Sequence, residues 1–436
     1  MWSSPQRQFL VARRPVGFEA TRGASRARRA NENAVVPVPV KLTGQAPSRR
    51  ALFAFASISF AYFAYVGLFG TYAPLWFQSL GFSTLAIGVL ASVQSATRLI
   101  GPYAWGWLAD HTGQRTQLLR IACGLALAFA FGMFVSPDYG WIVGVTAALF
   151  VCTAGIIPIS EAALAHLVSR GLTLDAARYG RVRVWGSIGF ILTAVGGGVL
   201  LESFGVKFFP ALVIVLLALL LVAAMRLPRV VEAAHASEAA PGALTVLRDP
   251  VVAWFFGGVF FTVLAHTSLY AFFSLYLVSL GYTKSAVGLM WAVGVLVEVA
   301  WFWFQGRWLA RASAHAWLLI AAGVSVLRFA VIAAFGASPV LLVLAQCLHA
   351  VTFAAQHTSC IAVINQHFPG RLRGRGQALY TVLGYGASGV IGGVAGGALS
   401  QAHGFAAVFW AASGAALLAA LCCWRAWTLA RTRSAH

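Results

Sequence analysis

Ser79–Gly88 reads SLGFSTLAIG, and Ser279–Gly288 reads SLGYTKSAVG, 200 residues later in a chain of 436. Five of the ten positions are identical, and Phe82/Tyr282, Ser83/Thr283 and Ile87/Val287 are near-equivalents. An offset near half the chain implies two related halves, and duplication around a midplane site is a recurrent plan of secondary transporters. The sequence around the repeat is apolar: 60% of residues are hydrophobic and 10% charged, against about 25% charged in an ordinary soluble domain. A helix needs roughly 20 apolar residues to cross a bilayer. Twelve such stretches are read at 51–77, 84–109, 116–135, 139–166, 179–202, 206–226, 250–277, 285–309, 315–336, 339–363, 376–402 and 405–428. The expected fold is therefore an all-α membrane protein, with twelve transmembrane helices in two pseudo-symmetric six-helix bundles.

Charge sets the expected orientation. A net charge of +20 raises the question of nucleic acid, but its distribution answers it. On a twelve-helix plan, 26 of the 31 Lys and Arg fall in the tails and alternate loops of one side, and only Lys207 and Lys284 fall on the other. That asymmetry is the positive-inside pattern, so both termini are expected in the cytoplasm. The expected domains are a basic, disordered tail over 1–50, a first bundle over 51–226, a cytoplasmic linker over 227–249, a second bundle over 250–428 and a short tail over 429–436. The first segment has ten Lys and Arg, two acids and no apolar core for a secretory signal. An organellar transit peptide shares that composition; a cytoplasmic tail is the reading adopted. Cys123, Cys152, Cys347, Cys360, Cys422 and Cys423 all fall in apolar stretches without metal-ligand spacing, so neither a disulfide nor a metal is expected.

The loop after the second stretch reads Gly106-Trp-Leu-Ala-Asp110-His-Thr-Gly113-Gln-Arg115. Here the chain resembles the major facilitator superfamily, whose signature is Gly-x-x-x-Asp-(Arg/Lys)-x-Gly-(Arg/Lys)-(Arg/Lys). Gly106, Asp110 and Gly113 match it, His111 replaces a basic residue, and Arg115 is a shifted match. The resemblance implies a major facilitator fold with a gating role for this loop. Its counterpart, Gly306 to Arg311, lacks the acid.

Arg98, Glu161, Arg183, Glu298 and Arg328, with His266, His349 and His357, fall inside predicted spans. An ionised side chain at the bilayer centre costs at least about 2.5–3.5 kcal/mol, so such residues face a cavity or a partner. Arg98 reads as a brace between the halves; His266 and His357 read as accessory groups. Pro158-Ile-Ser-Glu161 and Tyr179-Gly-Arg181-Val-Arg183-Val-Trp185-Gly186-Ser187-Ile-Gly189-Phe190 resemble the phenylpropionate permease family and the lactose permease branch of the superfamily. In the latter the matching Glu and Arg hold sugar hydroxyls. The resemblance implies a substrate-binding set of Glu161, Arg183, Ser187, Phe190 and Trp301. It further implies a proton-coupling set of Glu298, Arg328 and His349, in the order of the lactose permease cluster. The departures are informative. Thr352 stands where lactose permease has its proton-carrying Glu, Gln346 replaces its Lys, Phe190 replaces a sugar-stacking Trp, and Trp301 replaces a sugar-binding Asn. Glu298 or His349 is left to carry the proton.

The expected function is secondary active transport: a proton-coupled symporter for a small organic solute such as an aromatic carboxylate. A sugar or nucleoside symporter is the alternative, and a drug-exporting antiporter the second. Exporters of that kind usually carry a Gly-Pro motif in helix 5, and residues 179–209 contain no Pro. No nucleophile–base pair, soluble domain or Gly-x-x-x-x-Gly-Lys-Ser/Thr loop points to an enzyme or an ATP-driven pump. No cofactor beyond a proton gradient is expected. The partners expected are a small-molecule substrate and the lipid bilayer, not nucleic acid, and the protein is expected to act as a monomer in a bacterial inner membrane.

Overall fold

Each copy of the repeat stops one helix and starts the next. Ser79 and Ser279 donate back to the carbonyls of Trp76 and Tyr276, both at 2.7 Å. Gly81 and Gly281 take the left-handed conformation at φ 85° and 88°, which glycine adopts without the steric cost of a Cβ. Ser83 and Thr283 then cap the following helices, accepting from the Ala86 and Ala286 amides at 3.2 Å.

The computed structural model describes residues 48–170, 173–174, 176–228, 243–369 and 372–434. The expected basic tail up to residue 47 and the middle of the expected linker lie outside the described residues. Among the described residues, twelve helices are long and apolar enough to cross a membrane: α1 Arg49–Ser79, α2 Thr84–Thr112, α3 Arg115–Phe134, α4 Tyr139–Ala165, α5 Arg178–Phe204, α6 Val206–Met225, α7 Pro250–Ser279, α8 Lys284–Leu309, α9 Ala314–Phe335, α10 Pro339–His367, α11 Arg373–His403 and α12 Phe405–Arg433. Between α4 and α5, Ser169–Arg170 pairs antiparallel with Thr173–Leu174 in a two-residue bridge.

The two halves pack by one scheme. In the first bundle α1 lies on α5 and α6, α3 on α4 and α6, and α2 on α4. In the second, α7 lies on α11 and α12, α9 on α10 and α12, and α8 on α10. The most apolar windows of α1 and α7 are 61% and 67% buried, more than those of any other span, which makes these two the central helices. Polar side chains finish the exposed helix ends. Arg120 of α3 donates to the carbonyls of Ala224, Met225 and Leu227 at the end of α6. Asp249 caps α7 and accepts from Arg433 at 2.7 Å; that bond holds its carboxyl below the ordinary range.

The bundles meet where the repeat places its last glycine. Gly88 of α2 lies against Gly393 and Gly397 of α11, and Gly288 of α8 lies against Ala194 of α5. Ser92 donates to the Val390 carbonyl at 2.7 Å. The Tyr72 hydroxyl donates to the Ala194 carbonyl and reaches that of Lys284 at 3.2 Å. Glu202 accepts from the Lys284 amide at 2.6 Å. Small residues permit this close approach, so the end of the molecule that bears the repeat turns is closed. A Cβ on Gly288 would run into the Ala194 carbonyl and the Tyr72 hydroxyl. Overpacking of this kind costs about 1–3 kcal/mol, enough to shift a two-state equilibrium about 5- to 150-fold. Gly288→Leu is therefore expected to open the repeat end. Labelling of a cysteine placed at Gln94, from the repeat side, reads the change, and an unaltered rate would show that this crossing does not control closure.

Candidate functional site

Below the closed end the bundles part around a cavity of about 1610 Å³. Its walls come from α1, α2, α4 and α5 on one side and α7, α8, α10 and α11 on the other. The lining runs as far as Tyr179, Gly180 and Arg181 at the start of α5 and Gln305 near the end of α8, so the cavity extends toward the end where α1 begins and α12 finishes. Aromatic rings make much of the wall, among them Phe63, Phe190, Tyr270, Trp291 and Phe353.

The first polar group is built where α5 lies on α1. Gly189 sits against the Phe60 backbone, and this tight packing sets the rotation of α5 that turns Arg183, Ser187 and Phe190 into the cavity. Arg183 Nε donates to Glu161 Oε1 of α4 at 3.0 Å. Its guanidinium carbon lies 4.2 Å from the centre of the Phe63 ring, a cation–π contact. Both side chains of the pair remain more than a third exposed, so the pair presents itself to the cavity and adds little to stability.

The second polar group is built on α9 and α10. Residues Ala350–Ala355 of α10 form a π-helical turn, a distortion frequent at functional sites. It brings His349 and Thr352 onto Arg328, whose side chain is fully buried. Arg328 Nη1 donates to His349 Nδ1 at 3.0 Å and Thr352 Oγ1 at 2.9 Å, and Nη2 donates to Gln346 Oε1 at 2.8 Å. A guanidinium has only donors, so His349 Nδ1 must accept and the imidazole proton resides on Nε2. Nε2 faces Glu298 Oε2 at 3.8 Å, beyond hydrogen-bond reach. Gln346 is itself held by donating to the Met290 carbonyl at 2.9 Å.

The three residues of the expected proton-coupling set do come together, with His349 between Arg328 and Glu298. Several other expected placements change. Trp301 does not line the cavity. The lining face of α8 runs through Trp291, Val295, Glu298 and Phe302, which turns Trp301 toward α9, where it packs edge-on against Trp317 at 5.7 Å. His266 is buried behind the cavity: its Nδ1 meets the Thr262 carbonyl at 2.8 Å, and its ring lies against Phe329. His357 does line the cavity and meets the Tyr380 hydroxyl at 3.1 Å. Arg98 is exposed in the cavity, with no ion-pair partner among the described residues, and is not a brace between halves. In the loop motif, Gly113 ends α2 at φ 63°, and Asp110 pairs with Arg115 at 3.2 Å. A Cβ on Gly106 would meet open space. Trp291, Gln305 and Tyr385 line the cavity without having been singled out from the sequence. A 3.6-residue stripe on α8 carries the signal for Trp291; Tyr385 lies in a second π-helical turn, Tyr380–Ala387, where that periodicity fails. Among the described residues, no cluster of three or more His, Cys, Asp or Glu is placed to hold a metal.

Residues 52–411 match a family model described as the MFS_1 like family. A protein of Escherichia coli (strain K12) described as "Probable 3-phenylpropionic acid transporter" is 29% identical over 353 residues, 80% of this chain and 91% of its own length. "Maltose permease" of Geobacillus stearothermophilus is 27% identical over 341 residues, 74% of this chain and 81% of its own. Among solved structures, the nucleoside transporter NupG aligns with a TM-score of 0.76 at 16% identity, over 86% of this chain and 99% of that one. That last likeness is one of fold.

Proposed function

The chain belongs to the MFS_1 like family and is a multi-pass membrane transporter, not an enzyme; from that premise we propose that it is a proton-coupled symporter of a small aromatic carboxylate. One observation carries the reading. Among the described residues, four Arg side chains border the cavity, Arg98, Arg181, Arg183 and Arg328, against two carboxylates, Glu161 and Glu298, and the remaining wall is largely apolar and aromatic. An anion bearing an apolar ring complements such a space, and its charge is offset there. The relative described as a 3-phenylpropionic acid transporter supports the same substrate class. The relative described as a maltose permease supports a sugar as the second reading, since a Glu–Arg pair also suits paired hydroxyls.

In this mechanism Arg183, oriented by Glu161 and Phe63, presents its free guanidinium edge to the polar end of the substrate, beside Ser187 and Phe190. Glu298 carries the proton. His349 is a poor carrier while Arg328 occupies its Nδ1 lone pair, because a second proton would set donor against donor. Protonation of Glu298 removes a charge from the space between the bundles, so it biases which end of the cavity closes. The Lys and Arg asymmetry supports an arrangement with both termini cytoplasmic in a plasma membrane, which makes the closed repeat end the outer one. The boundaries 51–226 and 250–428 remain the proposed limits of the two rocking bodies.

The test is uptake of labelled 3-phenylpropionate into proteoliposomes with an acidic exterior. It is scored above protein-free vesicles, because the protonated acid also crosses lipid unaided. Accumulation that collapses with a protonophore is the expected result. Uptake of maltose or a nucleoside, with none of the carboxylate, would overturn the substrate class.

A further inference from the structure

We infer that Arg98 is the residue that offsets the substrate's carboxylate charge, and that it sets the preference of the cavity for anionic over neutral aromatic solutes. The inference rests on the carboxylate reading above and assigns the charge selection within it.

The four cavity guanidinium groups are not equivalent. Arg183 offers its outer edge as a donor to the carboxylate, but its charge is already matched by Glu161 at 3.0 Å, so the anion's charge needs a further cation to offset it. Arg328 is sealed within the protein, and both of its terminal nitrogens are committed to His349, Thr352 and Gln346. Arg181 is exposed at the start of α5, far along the cavity from the closed end. Arg98 lies in the middle of α2, exposed to the cavity, with no carboxylate in contact among the described residues. A bare cation at that depth is costly unless water or an anion meets it.

Its surroundings fit a carboxylate. The charge of Arg98 falls on the hydroxyls of Tyr62 from α1, Tyr270 from α7 and Tyr385 from α11. Tyr62 also lies in the field of the Glu161–Arg183 pair, and Tyr270 and Tyr385 in that of Glu298. Arg98 shares one cavity with both polar groups. The Tyr270 side chain lines the cavity and its hydroxyl makes no hydrogen bond to another described residue, so it is open to donate to a carboxylate oxygen. Tyr270 stacks on Trp291 at 6.3 Å, which supplies an aromatic surface beside the cation. Ser95, three residues before Arg98, lies against Gly389, so the site sits directly beneath the crossing of α2 and α11. A carboxylate held by Arg98 of α2 and the Tyr270 phenol of α7 would touch both bundles at once.

The experiment compares Arg98→Gln and Arg98→Lys with the wild-type chain in proteoliposomes. It measures KM and kcat for 3-phenylpropionate exchange, and inhibition by the uncharged analogue 3-phenylpropanol. Loss of a charge-assisted contact should raise the Arg98→Gln KM for the carboxylate about 10- to 100-fold, while the alcohol inhibits within about twofold of its wild-type strength. Arg98→Lys should recover part of the carboxylate affinity, since the charge remains. Retained inhibition by the alcohol shows that the variant is folded. An unchanged carboxylate KM, or equal weakening of acid and alcohol, would overturn the assignment to Arg98 alone. A wild-type protein that moves no aromatic carboxylate would overturn the underlying reading and this inference with it.

Discussion

Glu298→Gln is expected to abolish uphill accumulation while leaving substrate exchange within a few-fold of wild type. One proton moving down one pH unit supplies about 1.4 kcal/mol, enough for a tenfold solute gradient; in the variant the initial rate of uptake driven by that pH step should fall to that of protein-free vesicles. The argument is geometric. Glu298 is the carboxylate that the second bundle contributes to the cavity, and it faces His349 Nε2 across 3.8 Å. The imidazole is held in one tautomer by Arg328, so the pair has one site free to gain a proton, on the carboxylate. Glutamine keeps the volume and one acceptor oxygen but cannot titrate. The bundles can still rock with substrate, so exchange survives; what is lost is the link between protonation and the closed state. Counterflow and pH-driven uptake, measured on the same vesicles, separate these. Wild-type accumulation by the variant would move coupling to Glu161 or His349, or replace symport by facilitated diffusion.

Arg183→Lys should raise the KM for the carboxylate about 10- to 100-fold, although the charge is conserved. Arg183 makes two contacts of fixed geometry, Nε to Glu161 at 3.0 Å and its plane over Phe63 at 4.2 Å, while its outer edge remains for the substrate. A lysine ammonium is a single point of charge and cannot hold a carboxylate partner and a ring while presenting a flat pair of donors. The contrast with Arg98 is diagnostic: charge alone should restore much of the function at 98 and little at 183. A KM for Arg183→Lys within about twofold of wild type would reduce the Glu161 pair to a pin between α4 and α5.

The sequence readily reveals what lipid enforces. Spans were expected within a few residues of those observed because a long apolar run reports directly on burial in a membrane. Ionisable residues inside spans are expected to face a cavity or a partner; Glu161, Arg183, Glu298 and Arg328 border one cavity, and Arg98, which reads as a brace, borders it too, since charge in an apolar helix has few other places to go. What stayed hidden depends on partners distant in sequence or on small rotations. The repeat reads as a turn, but its role in closing one end requires Gly393, Gly397 and Ala194, which no local pattern links to it. Trp301 follows Glu298 by three positions, and the lining face of α8 turns just enough to send it onto Trp317. His266 reads as an accessory group of the cavity, yet it packs behind it, against the Thr262 carbonyl and the Phe329 ring. Tyr385 escapes because a π-helical turn shifts the register on which helical periodicity relies.

Arg328 takes all three of its partners from the helix that follows it, at separations of 18, 21 and 24 residues. That has a consequence for biosynthesis. While only α9 has been made, its guanidinium confronts lipid at a cost of about 2.5–3.5 kcal/mol. At about 5–20 residues per second, Gln346, His349 and Thr352 follow within about one to five seconds. The turn over residues 336–338 is short, so α9 and α10 can settle as a hairpin in which the charge is already solvated by side chains. The same buried cation that borders the transport site is thus expected to favour insertion of α9 and α10 as a pair.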